Sequence, residues 1–313
     1  MPVVYASLPL SGPAGPLGRQ VLRGADLALE RGAATGVELV ALDGADPHDR
    51  EAKAVEHAER AAEDPRALAY LGDLHSGQIV ETAPILAAAG LLQVAPVATY
   101  AALQSDTLVR LTPHDGVGAR AIAAWLHGQG VTRLLVVHDH DRDYGIAVGE
   151  MCTAAARDRG IDVRSRPVWD HDEPMADDLE GAQAVLYVGV AGSGAVGLWR
   201  DLHAALPDAW LLGTEGVAQP WFAHEMGPGE AERTRFFQGT RGSFDLYGFE
   251  AMALILDAIG DGDDRQAVVA AARATKDRDS VLGRYSIDEH GHTTTTAYGR
   301  LAVKDAEIVW DRG

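Results

Sequence analysis

Hydroxyl side chains stand at two points where a predicted strand of the first half ends. Ser76 lies between the strand predicted at 67–71 and the helix that follows, and Thr99 follows the strand-end stretch 94–98. The first turn of a helix leaves backbone N–H groups without partners, and these groups together with a hydroxyl can bind a carboxylate. Ser76 and Thr99 are therefore predicted to bind a ligand carboxylate. The alternative roles are a helix N-cap and an ordinary loop threonine.

An acidic side chain and a backbone carbonyl offer the opposite chemistry. Glu215 lies in Gly-Thr-Glu-Gly, directly after a predicted buried strand, where the flanking glycines allow close backbone approach. Its carboxylate can pair with an ammonium group, a charged hydrogen bond that contributes about 1.5–3 kcal/mol. The carbonyl of Val97 can accept from the same group. These positions predict an amino acid or a close analogue as ligand, whereas the alternative for Glu215 is a solvated loop residue.

A glycine-rich turn supports a rival interpretation. Residues 192–197 read Gly-Ser-Gly-Ala-Val-Gly between a predicted strand and a predicted helix, and Glu215 lies about 20 residues further on, as in dinucleotide-binding motifs. This pattern is the case for an enzyme. However, it falls in the middle of the second half, and the remaining chain shows no acid–base group typical of a dehydrogenase. We expect a non-enzymatic protein without a cofactor.

Histidine-containing runs do not predict a metal or a catalytic site. In His-Asp-His-Asp at 138–141, successive side chains of a strand end point to opposite faces and do not converge. His290-Gly291-His292 is interpreted in the same way. His75 and Ser76 are adjacent, a spacing that does not set an imidazole against a hydroxyl as a catalytic triad requires.

Composition and charge exclude several classes of partner. The 313 residues are 47% hydrophobic and 23% charged, which is typical of a soluble globular protein. No apolar run approaches the roughly 20 residues that span a membrane. The net charge of −19 opposes binding to a phosphate backbone, so nucleic acid is not an expected partner. The single cysteine, Cys152, is predicted to be a buried thiol.

The start of the chain leaves its compartment open. Met1-Pro2 leads directly into a predicted strand, and no basic segment with an apolar stretch precedes it. The expectation is a periplasmic or extracellular protein whose secretion signal has been removed, with a cytoplasmic protein as the alternative.

Short β-rich runs alternate with longer amphipathic segments along the chain. The predicted strands are 3–8, 37–42, 67–71, 91–94, 133–138, 163–168, 184–190, 210–212, 297–303 and 307–310. The predicted helices are 18–31, 47–62, 77–89, 116–128, 144–159, 195–205, 244–259 and 265–274. For the second helix, Asp46 is the predicted N-cap and Pro47 the first helical residue. This alternation predicts an α/β fold of two doubly wound parallel-sheet lobes.

The two predicted lobes are joined by three crossings, near 111–115, 238–243 and 281–288. Lobe one is predicted to comprise 1–112 plus 243–282, and lobe two 116–238 plus 288–313. In open parallel sheets ligands bind beyond the carboxyl ends of the strands, so the cleft between the lobes is the expected ligand site. Closure around the ligand is expected to be a hinge motion.

Five segments follow one another in the order of a known family. They are SLPLSGPAGPLGRQVLRGADLALE, LGDLHSGQIVETAPILAAAGLLQVAPVATYAAL, RLLVVHDHDRDYGIAVGE, AWLLGTEGV and GRYSIDEHGH. The ordered set covers nearly the whole chain. It resembles the type I periplasmic binding proteins that serve branched-chain amino acid ABC transporters, the Leu/Ile/Val-binding-like family.

The resemblance implies both a function and further site residues. It implies capture of an amino-acid-like ligand for a membrane permease and an ATPase, with the ligand-sensing domain of a larger regulator as the alternative. It implies that the ring and hydroxyl of Tyr144 face the ligand cleft. Leu17 and Val190 stand where relatives often carry an aromatic residue, so an aliphatic pocket lining is implied there. The stretch 222–244 is short compared with relatives and is expected to lead almost directly into the next helix.

Overall fold

The chain forms two units and passes from one to the other three times. Unit 1 comprises residues 1–113 and 240–297, and unit 2 comprises 114–239 and 298–313. The structure is a computed structural model that describes residues 1–32, 36–46, 48–139, 142–168, 176–189, 194–260 and 264–311. Within these residues, no helix has the length and apolar character needed to cross a membrane.

Strands and helices alternate through most of both units. In chain order the elements are β1 (Val3–Leu8), α1 (Gly15–Arg31), β2 (Glu38–Asp43), α2 (Arg50–Glu63), β3 (Ala67–Leu71), α3 (Ser76–Ala88), β4 (Leu92–Ala95), β5 (Leu108–Arg110), α4 (Asp115–Gly128), β6 (Arg133–His138), α5 (Ala147–Arg157), β7 (Asp162–Pro167), α6 (Ala176–Leu179), β8 (Ala184–Val188), α7 (Ala195–Ala205), β9 (Trp210–Thr214), α8 (Pro220–His224), α9 (Pro228–Arg233), β10 (Thr234–Gln238), α10 (Phe244–Gly260), α11 (Arg265–Arg273), β11 (Gly299–Lys304) and β12 (Glu307–Trp310). One π-helical turn, Arg142–Ile146, leads into α5.

Unit 1 is built on a five-stranded sheet in the order β2-β1-β3-β4-β5. All of its neighbouring strands are parallel. Every residue of β1 and β3 is buried, because a central parallel strand is covered on both faces. The carboxyl ends of β3 and β4 therefore meet at one edge of the sheet, where the loops that carry Ser76 and Thr99 begin.

Helices α1 and α10 of unit 1 pack closely through glycines. A Cβ atom on Gly24 would lie 2.0 Å from the carbonyl oxygen of Asp245, and one on Gly248 would lie 1.9 Å from the carbonyl oxygen of Val21. Both distances are far shorter than a van der Waals contact, so the two helix backbones approach more closely than any larger residue allows.

Unit 2 is built on a seven-stranded sheet in the order β12-β11-β10-β9-β8-β6-β7. The five strands β6 to β10 are parallel to one another, whereas β11 and β12 are antiparallel to their neighbours. Two mostly parallel sheets flanked by helices confirm the predicted α/β fold. The antiparallel edge strands are formed by the last described residues, where strands were predicted at 297–303 and 307–310.

The predicted start of the second helix is wrong. The helix α2 begins at Arg50, and the side chain of Asp49 caps it by accepting a hydrogen bond of 2.9 Å from the N–H of Ala52. The carboxylate of Asp46 accepts from the N–H groups of His48 and Asp49 and so forms a turn before the helix. Pro47 lies outside the described residues.

The third crossing also differs from the predicted position at 281–288. Residues 288–297 belong to unit 1, and the chain leaves it after 297. The reason is strand-like pairing within unit 1. The N–H of Arg110 donates to the carbonyl of Gly291, and the N–H of Thr293 donates to the carbonyl of Arg110.

The stretch 222–244 contains more structure than the sequence predicted. Between the start of α8 and the start of α10 lie the short helix α9 and the strand β10. Phe236 and Phe237 of β10 are buried in the two core clusters of unit 2. Their burial, which comes from neighbouring strands, explains why this segment forms a strand.

Candidate functional site

In unit 1 a hydrogen bond joins the loops that carry Ser76 and Thr99. The Oγ of Ser76 accepts a bond of 3.3 Å from the N–H of Tyr100, the residue after Thr99. Ser76 is the first residue of α3, and His75 rather than Ser76 occupies the N-cap position. A hydroxyl that accepts one hydrogen bond keeps its own proton as a donor, so Ser76 can also donate to a second group. Two positions that were predicted separately thus lie together beyond β3 and β4.

The other two predicted residues of unit 1 lie in different surroundings. Val97 is half-buried and packs against the core of unit 1. Leu17 lies in the first turn of α1 with 39% of its surface exposed. An exposed leucine at this position agrees with a surface that a ligand side chain can contact, and its role as a pocket lining stays a prediction.

The loop between β3 and α3 is held by a buried carboxylate. Asp73 is fully buried, and its two oxygens accept hydrogen bonds from the hydroxyls of Tyr70 at 3.1 Å and Thr82 at 3.0 Å. Burial raises the pKa of Asp73 to about 6, although hydrogen bonds from Ser7, Thr82 and Tyr70 act in the opposite direction. Asp73 therefore ties the loop before Ser76 to the end of β3 and to the second turn of α3.

The imidazole next to Ser76 is neutral. Burial lowers the pKa of His75 to about 4, and the positive charge of Arg50 adds to this shift. At neutral pH the ring contributes no charge beside Ser76. Any attraction for a carboxylate at this position must come from hydrogen-bond donors and from other charges.

In unit 2 Tyr144 and Glu215 lie close to the same strand end. Tyr144 belongs to the π-helical turn before α5, and its hydroxyl donates a hydrogen bond of 2.9 Å to the Oγ1 of Thr214, the last residue of β9. Glu215 follows, and its Oε2 accepts from the N–H of Gly239 at 3.1 Å. Burial raises the pKa of Tyr144 well above its usual value, and the charge of Glu215 adds to the shift, so this tyrosine stays protonated.

A second carboxylate lies in the same region and was missed by the sequence analysis. Asp115, the first residue of α4, is 4% exposed. Burial is the largest cause that raises the pKa of Tyr298 well above its usual value, and the negative charges of Glu215 and Asp115 follow it. The ring of Tyr298 packs against α4, since a Cβ on Gly118 would lie 2.5 Å from its Cζ. This group of two carboxylates and two tyrosines, Asp115, Glu215, Tyr144 and Tyr298, is called the acidic group below.

The sequence held only a weak signal for the members that were missed. Asp115 stands at a predicted crossing just before a predicted helix, where an acidic residue is ordinarily a solvated helix start. Tyr298 lies far from the other members in sequence, at the predicted strand 297–303. Their proximity arises from packing between α4 and the segment before β11, which periodicity does not reveal.

Several other predicted features can be placed only in part. Outside the described residues lie Val190, the first two residues of the motif at 192–197, and the His140-Asp141 pair. His138 and Asp139 are described, and the Nδ1 of His138 lies 2.9 Å from the carbonyl oxygen of Asp139. In the described part of the chain no cluster of three or more His, Cys, Asp or Glu side chains could hold a metal ion.

The chain matches the family model of the periplasmic binding proteins over residues 6–205. A Leu/Ile/Val-binding protein homolog of Brucella melitensis is 25% identical over a gapped alignment of 339 positions, which covers 96% of this chain and 91% of the relative.

Solved structures share the fold over nearly the full length. An ABC transporter substrate-binding protein of Desulfitobacterium hafniense in complex with Leu superposes with a TM-score of 0.81 at 19% identity and covers 99% of both chains. An ABC transporter solute-binding protein of R. palustris in complex with benzoate gives a TM-score of 0.73 at 18% identity, with 98% of this chain and 94% of the other covered.

Proposed function

We propose that this chain, which belongs to the periplasmic binding protein family, captures an α-amino acid or a close analogue without a chemical step. It then delivers this ligand to the permease and ATPase of an ABC transporter. It would act in the periplasm or outside the cell. The ligands of relatives, Leu in one structure, and the Leu/Ile/Val-binding name of another support this class of ligand.

The observation that carries the proposal is the hydrogen bond from the N–H of Tyr100 to the Oγ of Ser76. It holds the start of α3 beside the loop of Thr99, so two hydroxyls and the backbone N–H groups of a helix start serve one anion. While its oxygen accepts from Tyr100, the Ser76 hydroxyl can still donate its own proton to the ligand. A ligand carboxylate is the acceptor that fits this arrangement, and Val97 would offer its carbonyl to the ligand ammonium.

The acidic group of unit 2 supports an ammonium on the same ligand. Glu215 is held by the N–H of Gly239, and Asp115 is buried at the start of α4. A cation that loses its water needs a partner, and two carboxylates supply one. In this proposal one ligand engages unit 1 through its carboxylate and unit 2 through its ammonium, and binding draws the units together by a hinge motion at the three crossings.

The test removes one charged end of the ligand at a time. Calorimetric titrations would compare leucine with leucinamide, 4-methylpentanoate and isoamylamine, which lack the carboxylate charge, the ammonium group and the carboxylate, respectively. We expect leucine or another α-amino acid to bind, and each singly altered compound to bind at least about tenfold more weakly, or 1.4 kcal/mol. Small-angle scattering should show compaction at saturating ligand.

A different ligand class would give the opposite ranking. Because one relative binds benzoate, benzoate and 4-methylpentanoate belong in the same titration series. If these acids bound and no α-amino acid did, the ammonium site would be wrong. Identical scattering curves with and without saturating ligand would argue against closure.

A further inference from the structure

A buried arginine donates a hydrogen bond to the loop that carries Thr99. Arg110, the last residue of β5, is fully buried, and its Nη1 donates a hydrogen bond of 2.5 Å to the carbonyl of Tyr100. The N–H of the same residue, Tyr100, donates to the Oγ of Ser76 at 3.3 Å. A single loop residue therefore joins the guanidinium of Arg110 to the hydroxyl of Ser76.

Both backbone polar groups of Arg110, its N–H and its carbonyl, are hydrogen-bonded. Its N–H donates to the carbonyl of Gly291 at 2.8 Å, and its carbonyl accepts from the N–H of Thr293 at 2.9 Å. His292 stands between Gly291 and Thr293 in the sequence, and its Nε2 lies 2.9 Å from the carbonyl oxygen of Leu103, in the same loop as Tyr100. A carbonyl only accepts, so Nε2 carries the proton.

The imidazole of His292 adds a fixed point but no charge. Burial lowers its pKa, and the positive charge of Arg110 lowers it further. The loop 96–107 is thus held at Tyr100 and at Leu103, and the guanidinium that bonds Tyr100 is that of Arg110.

We infer that Arg110 is a positioning residue of the ligand carboxylate site. Its guanidinium holds Tyr100 where the N–H of that residue bonds the Ser76 oxygen, and this bond restricts the rotation of the hydroxyl that donates to the ligand. Arg110 does not touch the ligand in this arrangement. The inference rests on the proposed function.

Loss of Arg110 has a specific expected consequence for Ser76. Without the guanidinium, the carbonyl of Tyr100 loses its donor, and the N–H of Tyr100 is no longer held on the Ser76 oxygen. The hydroxyl can then rotate among several acceptors, and part of the binding free energy is spent on ordering it. The affinity lost by changing Arg110 should therefore depend on the presence of the Ser76 hydroxyl.

A double-mutant cycle measures this dependence. Arg110→Gln, Ser76→Ala and the combined variant would be titrated with the tightest α-amino acid found for the parent protein. We expect Arg110→Gln to weaken binding about tenfold in the parent background and less than about twofold in the Ser76→Ala background. A merely structural role would give losses that multiply, and multiplying losses would overturn the inference.

A matched control comes from another arginine of unit 1 that donates to backbone carbonyls. The guanidinium of Arg265 bonds the carbonyls of Ala61, Ala62, Asp64, Ala67 and Ala89, near the start of β3 and thus at the opposite end of the sheet from Ser76. Arg265→Gln should lower the melting temperature and leave the dissociation constant unchanged. If it weakened binding as much as Arg110→Gln, position would not matter and the inference would fail.

A second variant applies if Arg110→Gln does not fold. The Oγ1 of Thr112 donates to the carbonyl of Pro96 at 2.6 Å and holds the start of the same loop. Thr112→Val should weaken binding about threefold, again only when the Ser76 hydroxyl is present. Unchanged affinity in Thr112→Val would count against the inference. A parent protein that binds neither amino acids nor small carboxylates would instead refute the proposed function itself.

Discussion

The hydroxyl of Tyr144 donates a 2.9 Å hydrogen bond to the Oγ1 of Thr214, and this contact fixes the π-helical turn before α5 against the end of β9. The next residue along the chain is Glu215, whose carboxylate is held separately by the N–H of Gly239. Tyr144 therefore bonds Thr214, which directly precedes Glu215, the residue that we propose for the ligand ammonium.

Removal of the Tyr144 hydroxyl should weaken ligand binding and also lower the stability of the fold. Tyr144→Phe loses the hydrogen bond to Thr214, a loss that costs about 1 kcal/mol of unfolding free energy. The freed end of β9 should lower the affinity for an α-amino acid about threefold, measured by calorimetric titration. Tyr5→Phe is the control, because Tyr5 in unit 1 also donates its hydroxyl to a side chain, the Oδ2 of Asp64. A larger loss of affinity in the control than in Tyr144→Phe would contradict this prediction.

The charge of Glu215 should matter for amino acids in particular. Glu215→Gln keeps the acceptor for Gly239 but removes the negative charge, so binding of an α-amino acid should weaken by more than about tenfold, or 1.4 kcal/mol. The unfolding free energy should change little. Glu232→Gln, an exposed position on α9, is the control and should bind like the parent. A Glu215→Gln variant that binds as tightly as the parent would refute the ammonium role and, with it, the ligand class.

The central strands were predictable because almost all of their residues are apolar, as expected for strands that are buried on both faces. The strand β3 is a continuous apolar run and β1 is interrupted only by Ser7. The site roles of Ser76 and Thr99 were predicted from the rule that parallel sheets bind ligands beyond their carboxyl ends. The strand β5 was missed because it has three residues and ends in Arg110. An arginine ordinarily indicates a solvated surface, whereas here hydrogen bonds to the backbone allow full burial.

The acidic group was predictable only in part. Glu215 and Tyr144 were assigned from local position and from family resemblance, but Asp115 and Tyr298 come together through contacts between segments far apart in sequence. The close approach of Tyr298 to Gly118 shows the cause, since only a glycine on α4 leaves room for the ring. Such shape complementarity has no sequence period.

The packing of α1 on α10 gives a prediction about stability. Alanine ordinarily stabilises a helix interior by up to about 1 kcal/mol relative to glycine. At Gly248, however, the added methyl group would lie 1.9 Å from the carbonyl of Val21, so the helices must separate. We expect Gly248→Ala to lower the unfolding free energy by at least about 2 kcal/mol in urea titrations. Gly260→Ala, where a Cβ meets no atom within 4 Å, should be neutral or stabilising. Equal stability of the two variants would show that α1 and α10 are not in close contact.

The buried carboxylate of Asp73 predicts a pH dependence of stability with a definite sign. Its pKa is raised from 3.8 to about 6, mainly by burial. Between these values the folded protein holds a proton that the unfolded chain has released, so the contribution of Asp73 is fully present below about 4 and is lost as the pH rises through 6. His75, with its pKa lowered from 6.5 to about 4, acts in the opposite direction over the same range.

The contribution of Asp73 must therefore be measured as a difference between proteins. The unfolding free energy of the parent minus that of Asp73→Asn should fall by about 2 kcal/mol between pH 4 and about pH 6.5, because one pKa unit corresponds to about 1.4 kcal/mol and both ends of this range lie within the two titrations. The asparagine does not titrate, and the effect of His75 cancels in the difference. A difference that did not vary with pH would show that Asp73 is ionised throughout. In that case the hydrogen bonds from Tyr70 and Thr82 would outweigh the cost of burial, and the loop before Ser76 would be held by a charged group.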